Sequence, residues 1–168
     1  MRIKLNTSRF AINLSTAGIY LAYAVEATAG TRPTTDYVKL TGAKSTPSLN
    51  PSPETLETTT LDETEYKTYI DGLKDLGGAL EFTFNLTQAL VDEWETLMTA
   101  YETAKAAGKA TWFTIVIPGL TKAYFFTGNP SAMGLPETSV SSVLEITNYI
   151  TPTNAPASYD KATLKAGE

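Results

Sequence analysis

ALEFTFNLTQALVDEWETLMTAYETAKAAGKATWFTIVIPGLTKAYFFT, residues 79–127, holds the signals that decide the fold. Its first eight residues alternate. Leu80, Phe82 and Phe84 fall on one side and Glu81, Thr83 and Asn85 on the other, the pattern of a half-buried strand. Then the period changes. Leu90, Trp94, Leu97, Met98 and Tyr101 recur at helical spacing and form one apolar stripe, which predicts a helix over 87–107 packed on a sheet. Asn85 and Gln88 read as a capping box at its start, and Gly108 as its stop. Beyond the helix, ATWFTIVI (110–117) and KAYFFT (122–127) read as a hairpin around Pro118-Gly119-Leu120.

Working outward, residues 18–28 (GIYLAYAVEAT) and 36–40 read as strands separated by the turn Ala29 to Pro33. Residues 55–61 (TLETTTL) and 66–71 (YKTYID) are two short strand candidates, and 71–78 is a turn with paired glycines. Gly128 through Pro136 reads as a loop, and residues 139–150 as the last strand. Residues 41–54, TGAKSTPSLNPSPE, contain Pro47, Pro51 and Pro53 and almost nothing apolar, so they cannot lie inside a sheet. A structureless loop of that length is uncommon unless it does something. The expected architecture is mainly β with one α-helix, an antiparallel β-sandwich or barrel of seven to eight strands over residues 18–150. Residues 1–17 read as an N-terminal arm and 151–168 as a C-terminal tail.

Composition narrows function. The 168 residues include no cysteine and no histidine. That removes disulfide frameworks, thiolate and imidazole metal sites, and the histidine-based triads. Threonine is present 28 times against 10 serines, a β-branched excess that suits pleated surfaces. No window nears the ~20 apolar residues of a membrane span. The net charge of −5 shows no basic footprint for nucleic acid, but it is unevenly spread. Residues 1–50 hold six basic groups against Glu26 and Asp36, whereas residues 54–102 hold twelve acids against Lys67 and Lys74. Such a split is either a solvated acidic face or a pair of opposite-sign surfaces through which neighbouring copies meet head to tail.

Chemical motifs are absent. Neither Gly42-Ala43-Lys44-Ser45 nor Gly108-Lys109-Ala110 completes a phosphate-binding loop, and no Gly-x-Ser-x-Gly occurs. Asp62, Glu63 and Glu65 are dense but lack the alternating oxygen pattern of a calcium loop, and nothing singles out a carboxylate pair. Trp94 and Trp112 read as core rather than as a sugar platform. The expectation is a protein with no catalytic, cofactor or metal residues. Arg2, Lys4 and Arg9 ahead of an apolar stretch have the general order of a secretory signal, but Asn13, Ser15 and Thr16 interrupt it and the stretch reads better as a strand. A secreted or cell-surface β-sandwich interaction domain is the alternative reading.

The pieces STPSLNPSPETLETTTLDE (45–63) and YKTYIDGLKDLGGALEF (66–82), the helix segment with Trp94 and Tyr101, and the opening NLSTAGIYLAYAVEATAGTRP (13–33) resemble the major tail proteins, or tail tube proteins, of long non-contractile-tailed phages and of prophages in Gram-positive bacteria. The resemblance covers residues 10–150. It implies two packed β-sheets with a flanking helix, and hexameric rings stacked into a hollow virion tube, made in the host cytoplasm, through which DNA passes as transient cargo. It implies as partners the chain itself and other tail proteins such as the tape measure and tail terminator, with no cofactor and no membrane. It also implies a long inter-strand loop at subunit contacts, which maps to Lys44, Pro47, Leu49, Asn50, Pro51 and Pro53, with Phe10 and Ile12 of the arm as second candidates. An acidic lumen would not hold DNA by its phosphates, and Glu57, Asp62, Glu63, Glu65 and Glu81 are the candidates to line it.

Overall fold

The computed structural model describes residues 14–51 and 53–166. In chain order these form β1 (Tyr20–Val25), β2 (Val38–Leu40), β3 (Ala43–Ser45), β4 (Pro53–Glu57), β5 (Tyr69–Lys74), β6 (Leu80–Asn85), α1 (Gln88–Ala106), β7 (Thr111–Val116), β8 (Lys122–Pro130), β9 (Glu145–Pro152) and β10 (Ala157–Asp160). Seven strands follow one antiparallel path, β2-β1-β7-β8-β9-β6-β3, and β10 joins β8 beside it. The result is a nearly closed, barrel-like sheet, the mainly β, one-helix architecture that the sequence predicts. β4 and β5 stand apart as a two-stranded ribbon.

The barrel turns its corner in β8. Residues 124–127 of this strand pair with β7 and 122–125 with β10, whereas Gly128 to Pro130 pair with β9. At the change a Cβ on Gly128 would meet Ile150 Cγ2 at 2.6 Å, so only glycine lets the two strands approach. Thr127 donates its N–H to Asn154 Oδ1 at 2.7 Å, and its carbonyl accepts from the Thr153 N–H at 2.8 Å. The turn that leads into β10 thus closes the backbone groups freed at the corner.

Alternation along β1, β7 and β8 feeds two separate cores. Leu21, Tyr23, Phe113, Ile115 and Phe126 point inward, where they meet Leu80, Phe82 and Phe84 of β6, Ile146 and Ile150 of β9, and Leu90, Trp94 and Leu97 of α1. Ala22, Ala24, Val116, Ala123 and Phe125 point outward and are covered by Tyr37, Ala162 and Leu164. The near-continuous apolar runs of these strands therefore record burial on both faces.

The helix stripe lies on the main core: Leu90, Trp94, Leu97 and Tyr101 are buried and Met98 is half-buried. Its start differs from the capping box read from Asn85 and Gln88. β6 runs through Asn85, which pairs with Glu145, so the cap falls on Thr87, whose Oγ1 accepts from the Leu90 N–H at 3.2 Å. Its end is a Schellman motif, with Lys109 N–H to the Ala104 carbonyl, Gly108 N–H to the Lys105 carbonyl, and Gly108 at φ +67°.

Other boundaries also move. The expected loop 41–54 contains β3, which pairs with β6 directly after Gly42, at φ +75°. It ends in Pro53, the first residue of an exposed strand, where a missing N–H costs little. Residues 71–74 belong to β5 rather than to a turn, and the reversal lies at Gly77 and Gly78, at φ +83° and +90°. Gly128 to Pro130 continue β8 instead of opening a loop. The last expected strand starts at Glu145, because residues 139–144 are exposed and unpaired as strand, with Ser141 at φ +61°. Residues 151–168, expected as a tail, supply the end of β9 and all of β10.

Candidate assembly surfaces

No clustered ligands of metal type occur among the described residues. The surfaces that could do something are instead a projecting ribbon, a polar sheet face and a strap.

The ribbon is β4–β5 with its connection. Leu56 faces Ile70, Glu57 faces Tyr69 and Thr55 faces Asp71, with a bulge between Pro53 and Thr55. A side chain on Gly72 would press on Glu54 at 3.1 Å, which is why glycine stands there. Lys67 reaches Glu57 at 3.0 Å, and Thr58 and Thr68 pair through both backbone and hydroxyl groups. Residues Leu56, Leu61, Tyr66, Tyr69, Ile70 and Leu73 are all exposed, Leu73 at 85%. The strands thus bury neither face within their own chain. A lone hairpin is marginal in water, and large exposed apolar groups mark contact sites. Glu57, Asp62, Glu63 and Glu65 all lie on this ribbon. A hydrogen bond from the Thr60 side chain holds the Asp62 carboxyl below its ordinary range.

Glu81 lies elsewhere. It sits on the outer face of β6, where Glu81, Thr83 and Asn85 stand opposite Tyr149, Thr147 and Glu145 of β9. Thr83 and Thr147 hydroxyls are 3.4 Å apart, and Lys44 forms an ion pair with Glu145. This face is polar and hydroxyl-rich. The structure therefore does not bring the five candidate lumen acids together.

The loop candidates divide as well. Leu49 is half-buried against the main core, and Pro47 and Asn50 line a groove with Ile115, Ile117 and Tyr124. Pro51 lines a second groove between Lys74–Leu76 and Thr151–Pro156. Lys44 is engaged within its own chain and Pro53 begins the ribbon. Phe10 and Ile12 lie outside the described residues.

The strap is the C-terminal segment. After β10 it crosses the outer core: the Tyr37 N–H donates to Thr163 O, the Lys165 N–H to Tyr37 O, and Leu164 bridges Tyr37 in parallel. The Arg32 guanidinium lies over both the Phe125 and Tyr159 rings, at 4.7 and 4.5 Å from their centroids, and the two rings meet edge-on. Burial pushes the Tyr37 hydroxyl up to about 12 despite the nearby Arg32 charge. Just beyond Ala24 on the same side of β1, Glu26 is 4% exposed. Its carboxylate accepts from Gly30 N–H, Ala110 N–H and Trp112 Nε1–H at 2.9, 3.1 and 2.9 Å. Burial alone would raise its pKa, but those three bonds and the Lys109 charge outweigh it and leave the group below its ordinary range.

Sequence reasoning missed the ribbon's apolar set, the strap and the exposed Leu135, Val140 and Val143 of the loop after β8. A signal for the ribbon existed: in 55–74 apolar residues alternate with Glu, Thr and Asp too weakly to support a core on either face.

No family model matches the sequence, and no curated protein is similar to it. Among solved structures, the chain is similar to one from the cryo-EM structure of the anti-feeding prophage (AFP) baseplate, 6-fold symmetrised. The TM-score is 0.54 at 8% identity, over 91% of this chain and 97% of that one. At that identity the likeness is one of fold.

Proposed function

We propose that this chain is a structural subunit of a phage-tail-type particle that assembles with copies of itself into stacked rings around a lumen. The uncovered β4–β5 ribbon carries the reading: a monomer gains nothing by extending an apolar hairpin into water, whereas a subunit that buries it against a neighbour does. The fold shared with a chain of a 6-fold symmetrised prophage baseplate supports the particle class and a ring of six. The neighbour belongs to a baseplate, so the proposal covers tail and baseplate tubes of either kind rather than the non-contractile tail tube alone.

In this reading the outer face of β6 and β9 lines the lumen, with Glu81, Thr83, Thr147 and Glu145 offering phosphates hydroxyls and acids but only the paired Lys44 as a cation. DNA passes as cargo, tape-measure and terminator proteins meet the column at its interior and end, the product belongs to the virion, and the subunit performs no catalysis. Negative-stain electron microscopy over a concentration series, with light scattering beside it, tests the reading. Uniform rings or hollow rods are expected. A strict monomer at every concentration, also in the presence of the particle's other tail proteins, would overturn it.

A further inference from the structure

Two surfaces of opposite sign stand out among the described residues. Residues 54–75 of the ribbon carry seven acids and two lysines, and Lys67 is already paired with Glu57. The strap face carries Arg32, Lys39, Lys161 and Lys165, with Lys122 beside Asp160 at its edge and Asp36 as the other acid. Aromatic rings organise these cations. Arg32 lies over both Phe125 and Tyr159, and the Lys39 ammonium is 5.5 Å from the Tyr20 ring. β10 pairs with β8 alone, so its second edge is open, and Tyr159 is 40% exposed beside it.

We propose that the strap face is the receiving surface for the ribbon of a second copy, with the acids of 57–65 set against Lys161 and Lys165 and with Leu56 and Ile70, which share one face of the ribbon, laid along β10 and Tyr159. This rests on the self-assembly reading above and adds which surface takes the ribbon. Ribbon against ribbon would set acids against acids, and like charges disfavour that pairing. A second uncovered apolar patch, around Leu135, adjoins Glu95 and is followed in sequence by Glu137, so it too would meet the ribbon's acids with acids. Ribbon on strap pairs two different patches, so each copy keeps one of each free for the next. That is the head-to-tail geometry from which rings and columns are built.

Charge reversal tests it. Lys161→Glu with Lys165→Glu gives a chain acidic on both surfaces. Asp62→Lys with Glu63→Lys and Glu65→Lys gives one that is basic on both. None of these five side chains makes an ion pair with another described residue, so both variants should keep the wild-type circular dichroism. Each variant alone should need more than about tenfold the wild-type concentration to assemble, and an equimolar mixture should recover assembly within about twofold. Wild-type assembly should weaken with added salt. Unchanged assembly of either variant alone, or a mixture that stays apart, overturns the proposal. If the wild type itself never assembles, the self-assembly reading fails separately; a two-chain complex seen only in the mixture would still support the contact, and its absence would end it.

Discussion

β7 and β5 are strands of the same length, six residues each, yet they live in opposite surroundings. Every residue of β7 except Trp112 is buried, because α1 and β6 cover one face and the strap covers the other. Every residue of β5 except Gly72 is exposed, although Tyr69, Ile70 and Leu73 are no less apolar than many core residues. The difference is not in strand propensity but in what the rest of the chain lays over each strand. A region that its own chain leaves bare contributes little to folding and is free to contribute to association.

Breaking the covered side should give the largest effects. Phe126 is fully buried and stacks on Phe113 at 5.6 Å between centroids. Phe126→Ala should cost about 3–5 kcal/mol in urea denaturation, and a cost below about 1 kcal/mol would refute the two-faced burial of β8. Gly128→Ala places a methyl 2.6 Å from Ile150 Cγ2. It should cost about 1–3 kcal/mol through forced displacement of β9.

Glu26 sharpens the comparison through pH. Its folded pKa is lowered, so its contribution is fully present above the unfolded carboxylate value of about 4.3 and is lost as pH falls through the lower folded value. Glu26→Gln should therefore lower the melting temperature more at pH 7 than at pH 3. Hydrogen bonds to a charged group are worth about 1.5–3 kcal/mol each, so even partial retention by glutamine leaves a measurable loss. An equal penalty at both pH values would contradict the charged-acceptor role.

The bare side should give the smallest folding effect. Leu56→Ala with Ile70→Ala should change the stability of the unassembled chain by less than about 0.5 kcal/mol. The same pair should raise the assembly concentration. A destabilisation as large as that of Phe126→Ala would mean that the ribbon is covered within its own chain.

The covered half of the molecule was the legible half. Alternation in 79–86, the helical stripe from Leu90 to Tyr101 and the apolar runs at 18–28 and 110–127 all reflect strong local patterns backed by burial. The capping residue was misplaced by two positions because β6 holds Asn85 in its ladder, a tertiary effect that a local motif does not see. The strap was invisible for a similar reason. Residues 157–165 bury only Ala157, Ala162 and Leu164 in part, and their order comes from backbone pairing with β8 and with Tyr37. Lys44 to Pro53 looked like one interface loop because its prolines exclude a sheet interior. In fact the segment is divided among a short strand, a cover over Ile115 and the first residue of the ribbon. Acidity pointed to 54–65 but not to its geometry, so one set of acids turned out to occupy two surfaces.

The central claim is that the β4–β5 ribbon is covered by another copy of this chain and by nothing within its own. Amide hydrogen exchange read by mass spectrometry, on the dilute chain and on the assembled material, tests it most directly. In the dilute chain the amides of 55–57 and 69–73 should exchange orders of magnitude faster than those of β7 and β8, and on assembly they should become protected. Ribbon amides as slow as those of β7 before assembly, or as fast after assembly as before, would contradict it.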